Sequence, residues 1–565
     1  MRKKILIMMI SICAAHVLFA SSLYVMREGK LLEVKKDPAS STGFTADDGT
    51  PVDRSSVLVI SKLNINDNRM AFGEGAEAVQ PNSLAVGYNA NAKDFNATAL
   101  GSYTIAKKDA VAVGAGARAL EKNSIAIGID SNANKENAIA IGSKASAAES
   151  SVAVGTNAAA LGSSSVAIGK NAKSETNTGV SIGINSFSKG GGSIAVGGNS
   201  KSTGNMSIAM GESSKSSGQH AIAIGYNTNS EKTHSIAIGS SSSATFEESV
   251  AIGSHAKSTA KGGIAIGDST ENQGAKSIAM GYHTKTANEE GQIAIGSNAI
   301  SSEAYSTAIG TNAKALAQGS ITMGWNVSSK GFSSIAFGNL AFASKDSSIA
   351  IGRETKARGE YSSALGALAE AEGSNSIAIG SETKALGKYS SALGYSSIAA
   401  NANSNAMGYY AIAQGDSSLA FGENTTAYGS SSIAIGGDAT VGIITKRDKD
   451  KKVDEKANAG NKKVNYALAI GYSSKAKVDD SVALGTKSVA NIGSGVTGFD
   501  FSTNGPSDKT DHIWKSTAGA VSVGRVENQV VTRQITNLAA GTQDTDAVNV
   551  AQIKVFSQSR LSYTS

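Results

Sequence analysis

The segment Asn123-Ser124-Ile125-Ala126-Ile127-Gly128 is one copy of a motif that recurs along most of this chain of 565 residues. The glycine that closes the motif occurs 27 times in unbroken succession between Gly73 and Gly436, and 23 of the 26 intervals are 14 residues long. A fixed period of this kind is typical of a solenoid, in which one supersecondary unit stacks on the next. The sequence therefore predicts an all-β solenoid of 14-residue repeats.

The motif places large apolar residues at alternate positions. The residue before the glycine is Ile, Val, Leu, Met or Phe in all 27 copies, and the residue two positions earlier is apolar in 22 of them. Because alternate residues of a strand face the same side, each repeat contains one strand with a bulky face and a small face. A second strand should follow the glycine, since its third and fifth successors are Ala, Ser or Thr in 51 of 54 cases, with Asn272, Val327 and Val441 as the exceptions.

Two strands and two tight corners enclose only a narrow slot. If the small faces fill the slot, the large faces point outward and form an apolar stripe, on the order of 125 Å long at ~4.8 Å per turn. Monomers rarely expose contiguous apolar patches above a few hundred Å², so we predict an obligate oligomer with its core between chains. The opposite arrangement, with the large residues inside, is the alternative. Candidates for the inter-chain core are Ile125, Ile127, Ile139, Ile141, Ile236, Ile238, Ile349 and Ile351.

Residues 1–21 have the pattern of a secretory signal, because Arg2, Lys3 and Lys4 precede an apolar run and then small residues. A signal anchor is the alternative. Removal of this segment lowers the net charge from +6 by three to +3, which is too small to indicate nucleic acid as a partner. It also removes the only cysteine, Cys13, so the mature chain should form no disulfide.

The remaining boundaries follow from where the period holds. Residues 22–68 are predicted to be an irregular cap or linker, in which the apolar alternation Val57–Leu63 forms a strand over the first turn. Residues 69–440 contain the head repeats. The period lapses after Gly436 and resumes at Gly471, so residues 441–466 are predicted to be a basic insertion loop, either a polyanion-binding finger or a solvated loop. Residues 467–532 complete the repeat region.

The C-terminal part carries a family resemblance. His512–Gly524, Arg533–Thr542 and Asp544–Gln552 are similar to the end of a YadA-like head and its neck. Together with the repeats, the chain resembles the trimeric autotransporter adhesins of Gram-negative bacteria over about residues 65–554. The resemblance implies a left-handed parallel β-roll, a homotrimeric head and a short neck over residues 533–554. The neck residues that match are Arg533, Gln534, Asp544, Asp546 and Asn549.

The chain departs from the family after the neck. Residues 555–565 form a tail that is too short for a coiled-coil stalk or for the membrane strands of the family's anchor. The resemblance implies export through the inner membrane and display at the outer membrane or cell surface. We nevertheless expect no direct membrane insertion by this chain.

The sequence offers no catalytic constellation and no Cys/His metal spacing, so we predict that the chain is not an enzyme and uses no cofactor. His220 and His234 share one corner of successive turns and would hold an anion or sense pH; an ordinary exposed corner is the alternative.

The resemblance implies binding to host extracellular matrix proteins such as collagen, binding to host cell surfaces, or autoaggregation. A non-adhesive spacer or self-association module, in a truncated fragment that is not displayed, is the alternative. Ligand-binding candidates are the outward lysines Lys173, Lys201, Lys257 and Lys314.

Overall fold

The computed structural model describes residues 22–27, 30–36, 44–47, 49, 51, 58–64, 67–443, 462–527 and 529–561. The predicted signal segment and residues 444–461 of the predicted insertion loop lie outside the described residues. The chain forms two compact units, which divide between His283 and Thr284.

Both units are built from one kind of turn. Its long strand consists of the three residues before the repeat glycine, as in Ile125–Ile127, and its short strand of the fourth and fifth residues after it, as in Asn132–Ala133. The first long strand, Arg69–Phe72, has four residues. The repeat glycines are Gly73, Gly87, Gly101, Gly114, Gly128, Gly142, Gly155, Gly169, Gly183, Gly197, Gly211, Gly225, Gly239, Gly253, Gly267 and Gly281 in the first unit, and Gly296, Gly310, Gly324, Gly338, Gly352, Gly366, Gly380, Gly394, Gly408, Gly422, Gly436, Gly471 and Gly485 in the second.

Successive turns stack in parallel and in register within each unit. Ile125 pairs with Ile139 on the long strands, and Ala133 pairs with Ala147 on the short strands. The described residues contain about 29 such turns. The predicted all-β parallel solenoid is confirmed.

Small side chains fill the slot between the two strand stacks. Ala126 of a long strand and Ala133 of a short strand are both fully buried. Many buried serines satisfy their hydroxyls locally: Ser124 donates to the Glu121 carbonyl oxygen at 2.6 Å, and the hydroxyls of Ser202 and Ser207 lie 2.6 Å apart. Burial without a hydrogen bond would cost free energy, so these bonds are what allow serine to replace alanine. The alternative with large residues in the slot is wrong.

Both corners of each turn use left-handed backbone. Non-glycine residues adopt φ near +55°, as at Asn123 before the long strand and Asp130 after the repeat glycine. Asparagine tolerates this conformation better than most residues. It also forms ladders between turns: the Asn157 amide donates to Asn171 at 3.2 Å, and Asn171 donates to Asn185 at 2.9 Å. Corner residues therefore stabilise the stacking as well as the turn.

Asn272, Val327 and Val441, the three residues larger than Ala, Ser or Thr at the third and fifth positions after the repeat glycine, are fully buried. For Asn272, a glycine nearby compensates for the larger side chain. Asn272 donates to the Ser277 carbonyl oxygen at 2.8 Å. A Cβ at Gly263, which occupies a position that is usually Ser or Ala, would lie 2.5 Å from the Asn272 side-chain oxygen. The glycine therefore makes room for the larger asparagine.

We expect Gly263→Ser to lower the free energy of unfolding by about 1–3 kcal/mol, because it overfills the slot. Combining it with Asn272→Ser should recover most of this loss, because the pair then matches other turns. Thermal unfolding of the two single variants and the double variant measures the coupling. Additive losses would contradict the proposed compensation.

The N-terminal region is not irregular as predicted. Strands β1 (Ser22–Arg27) and β2 (Lys30–Lys36) pair antiparallel, and β3 (Phe44–Ala46) joins β2. The predicted strand over the first turn is present as β4 (Leu58–Asn64), which pairs antiparallel with Arg69–Phe72. Composition and punctuation residues do not reveal this local antiparallel pairing, in which Arg27 lies opposite Lys30.

The insertion interrupts the sequence without interrupting the stack. Ile433–Ile435 pairs in parallel with Leu468–Ile470, and Thr440–Val441 pairs with Lys475–Ala476. Ile443 and Lys462 form an antiparallel bridge at the base of the insertion. The turns on either side of the insertion therefore stack directly on each other.

Short elements follow the last turn. Val521–Ser522 pairs in parallel with Val482–Leu484, and Phe499–Asp500 pairs antiparallel with Gly505–Pro506. Helix α1 spans Val550–Leu561 and crosses the predicted boundary between neck and tail.

Candidate functional site

The outward residues of the long strands form a continuous apolar ladder in each unit. Ile125 and Ile127 lie in register with Ile139 and Ile141 of the next turn. All eight candidates for the inter-chain core occupy this outward face, partly exposed, and Ile127 retains 37% of its accessible surface. A parallel stack brings like residues together, so each isoleucine covers only the flanks of its neighbours. The outward direction of these side chains agrees with the sequence analysis.

The short strands present their first residue on the opposite side of the slot. Lys173, Lys201, Lys257 and Lys314 all occupy this position and point away from the slot. Lys173 and Lys201 lie on either side of Phe187, with their ammonium nitrogens 5.9 and 5.8 Å from its ring centroid. The other two are not near another lysine of this column, because their neighbours are Ser243 and Glu271 for Lys257, and Ile300 and Ser328 for Lys314.

Some charges elsewhere on this face form ion pairs between turns. Lys356 and Glu370 form an ion pair of 2.8 Å, and Arg358 and Glu372 form one of 2.6 Å. Burial disfavours ionisation of Glu370, but the hydrogen bond and charge of Lys356 outweigh it and lower the pKa of Glu370. This part of the surface is a set of paired charges and leaves little net field for a ligand.

Sequence reasoning missed two features of the outward surface. Lys215 occupies the same column as the predicted lysines and pairs directly with Lys201; reading the fourth position after every glycine would have found it. Tyr395, Tyr409 and Tyr410 form an aromatic cluster with centroids 4.3–5.6 Å apart. A hydrogen bond from the Tyr395 hydroxyl to Glu382 raises the pKa of Tyr395.

The predicted histidine corner exists. His220 and His234 stack with ring centroids 5.3 Å apart and an angle of 7° between the rings. Both residues have left-handed backbone, as other corner residues do. Within the described ranges, no group of three or more His, Cys, Asp or Glu lies close enough to hold a metal ion.

The predicted neck residues split into two groups. Arg533 contacts the last turn: its guanidinium donates to the Thr486 carbonyl oxygen at 2.6 Å and to the Ser488 hydroxyl at 3.1 Å. Asn549 caps helix α1, because its side-chain oxygen accepts the Gln552 amide at 3.0 Å and Gln552 in turn accepts the Asn549 amide at 3.1 Å. This reciprocal pair has the form of a capping box. Gln534 and Asp544 are exposed.

Asp546 orders the loop before α1. Its carboxylate accepts the backbone amides of Thr542 at 2.8 Å and Gln543 at 3.0 Å, and these bonds lower the pKa of Asp546. A depressed pKa stabilises the folded loop above the unfolded value near 3.9, and the stabilisation is lost as pH falls through the folded pKa. We expect the protection factors of the Thr542 and Gln543 amides, which are the ratios of the intrinsic to the observed exchange rate at each pH, to fall as pH drops below ~4. Asp546→Asn should show low protection factors at every pH; unchanged protection would contradict this role.

Family comparisons bear directly on these repeats. The sequence model described as "YadA head domain repeat (2 copies)" matches residues 70–90, 78–104, 106–128, 119–145, 146–172, 202–228, 230–256, 247–270, 293–313, 301–326, 329–355, 357–383, 385–411, 413–439 and 465–488, more than half of the chain. The model described as "Coiled stalk of trimeric autotransporter adhesin" matches residues 534–564. The chain belongs to the trimeric autotransporter adhesins. The stalk match spans both the predicted neck and the predicted tail.

Two curated trimeric autotransporter relatives match part of the chain. Autotransporter adhesin BadA of Bartonella henselae is 47% identical over 90 residues, which are 16% of this chain and 3% of BadA. Autotransporter adhesin EhaG of Escherichia coli O157:H7 is 36% identical over 88 residues, which are 16% of this chain and 5% of EhaG. The matches thus span a small part of either relative.

A solved structure is also similar. It is the collagen-binding domain of the Yersinia adhesin YadA, which is 23% identical, covers 43% of this chain and 86% of that chain, and has a TM-score of 0.19. The family is one of surface-exposed adhesins and not of enzymes. In the part of the chain that the structure describes, no helix has the length and apolar character needed to span a membrane.

Proposed function

We propose that this chain forms a homotrimer through its long-strand faces and acts as the head of a bacterial surface adhesin. The observation that carries the proposal is the ladder of Ile, Val, Leu, Met and Phe in parallel register on the outer side of the slot. Each buried isoleucine contributes about 1.5–3 kcal/mol. Pairing the ladders of three chains would therefore supply the hydrophobic core that the alanine-filled slot of one chain lacks.

The targets we propose are host extracellular matrix proteins, collagen among them, or host cell surfaces. A surface that repeats every turn suits fibrous partners, because many weak contacts add up to high avidity. Lys173, Lys201, Lys257 and Lys314 remain candidates for this contact, and export through the inner membrane with display at the outer surface is part of the proposal. Self-association between heads is the second candidate. The exposed apolar residues at the two corners of the turns favour it.

Two measurements on the purified chain test the proposal. Light scattering should give three times the chain mass of 57.1 kDa. The trimer should bind immobilised collagen or other matrix proteins more strongly than it binds immobilised copies of itself. A stable monomer would overturn the assembly. Self-association without matrix binding would favour the spacer or aggregation function. Matrix binding that survives replacement of all four lysines by glutamine would remove them as candidates.

A further inference from the structure

One column of short-strand residues in the first unit differs from the rest. Four successive short strands begin with Lys173, Phe187, Lys201 and Lys215, and each residue is the direct cross-strand partner of the next. We call this set the lysine ladder. At ~4.8 Å per turn it spans about 14 Å along the solenoid axis. Lys189, two residues after Phe187, is also exposed and adds a further cation to the same face.

Within the described short-strand column, two lysines are direct cross-strand partners in this ladder. Lys201 and Lys215 are direct partners, both exposed, and among the described residues neither ammonium forms an ion pair. Like charges directly opposite each other destabilise a sheet. The nearest acids in sequence are Glu175, which pairs with Lys173 at 2.5 Å, and Glu212, on the corner before Lys215. By contrast, Lys356 and Lys257 each have a glutamate as a direct partner.

Phe187 provides an apolar contact surface between the cations. The ammonium nitrogens of Lys173 and Lys201 come from the turns before and after it and lie within 6 Å of its ring centroid. This arrangement offers a ring for the C–H groups of a sugar and flanking ammonium groups for its anionic substituents.

The ladder also remains accessible in the proposed trimer. It lies on the short-strand side of the slot, whereas the apolar ladder that pairs the chains lies on the long-strand side. A ligand running parallel to the axis would therefore meet the lysines without competing with assembly.

We propose that the lysine ladder binds a linear sulfated polysaccharide that lies along the solenoid axis, with its sulfate groups on Lys173, Lys201 and Lys215 and one sugar against Phe187. The proposal rests on the adhesive function proposed above and names a ligand class for it. Lys201 and Lys215, which form no ion pair among the described residues, and Lys173 two turns before Lys201 line up along the axis as the anions of a linear polymer do, and their positive charge attracts such a polymer from a distance.

The test uses the full chain and immobilised heparin, a linear sulfated polysaccharide. The ladder variant is Lys201→Gln with Lys215→Gln, and the matched control is Lys384→Gln with Lys475→Gln, which removes two lysines from the same strand position in other turns. We expect the ladder variant to bind heparin at least tenfold more weakly, with a lower salt dependence because fewer counterions are released. The control should stay within twofold of the unchanged chain, and desulfated heparin should not bind.

The melting temperature of the ladder variant shows whether Lys201 and Lys215 have a binding role or a structural one. Removing like charges should leave the melting temperature of the ladder variant unchanged or raise it; a fall would overturn the proposal. Equal losses in both variants, or unchanged binding by the ladder variant, would also overturn it. So would single-stranded DNA that binds as tightly as heparin with the same dependence on Lys201 and Lys215. Collagen binding and oligomeric mass, measured on the same preparation, show separately whether the proposed function fails.

Discussion

Replacement of Gly197 by alanine should destabilise the neighbouring turns by about 3 kcal/mol or more. Gly197 has φ of +128°, a conformation that L side chains rarely adopt. An added Cβ would lie 2.5 Å from the Gly211 carbonyl oxygen and 2.6 Å from its carbon. Both atoms belong to the backbone of the next turn, so relief of the clash requires that the two turns separate.

The adjacent glycine is the matched control. A Cβ at Gly198 would meet only the Glu212 Cγ, at 3.9 Å, which is ordinary contact. We expect Gly198→Ala to change stability by less than about 0.5 kcal/mol, as surface substitutions usually do. Thermal unfolding at one fixed protein concentration and hydrogen exchange of the Gly211 amide measure both variants. Similar behaviour of the two variants would show that turn spacing does not depend on the repeat glycine.

Glutamate at the eight candidate core isoleucines should convert the proposed trimer into folded monomers. These residues are Ile125, Ile127, Ile139, Ile141, Ile236, Ile238, Ile349 and Ile351. Each substitution removes about 1.5–3 kcal/mol of apolar burial, and each unpaired carboxylate left in the interface costs several kcal/mol more. Light scattering should report a mass that falls from three times 57.1 kDa to 57.1 kDa.

The control places eight glutamates on the other side of the same four turns. The positions are Asn132, Asn134, Ser146, Ala148, Ser243, Thr245, Lys356 and Arg358. This variant changes the net charge by −10, compared with −8 for the first, and removes the partners of Glu370 and Glu372, so it is a more severe test of whether crowded charge alone separates the chains. It should remain a trimer, and far-ultraviolet circular dichroism should show that both variants stay folded. Dissociation of the control, or survival of the first variant as a trimer, would exclude the long-strand face as the interface.

The sequence by itself determined the repeat and the two strands of each turn, and it favoured the small side of each strand as the side that faces the slot. These features are local, because a 14-residue period repeats the same small and large positions, and the slot accepts only the small ones. Ala126 and Ala133 could therefore be assigned to the interior before any coordinates were known. The same periodicity indicated that the segment after Gly436 is inserted between two turns that stack on each other.

The period indicates which outward residues lie one turn apart, but only the tertiary structure decided which of these neighbours form ion pairs. Neighbouring turns are about 14 residues apart in sequence, so a charge is neutralised or left uncompensated according to the residue one period away. Lys356 forms an ion pair with Glu370, whereas Lys201 is the cross-strand partner of Lys215. The N-terminal hairpin and the Asn549–Gln552 cap also depended on pairings that no periodicity encodes. Periodicity fixes which way a side chain points, and stacking fixes what it contacts.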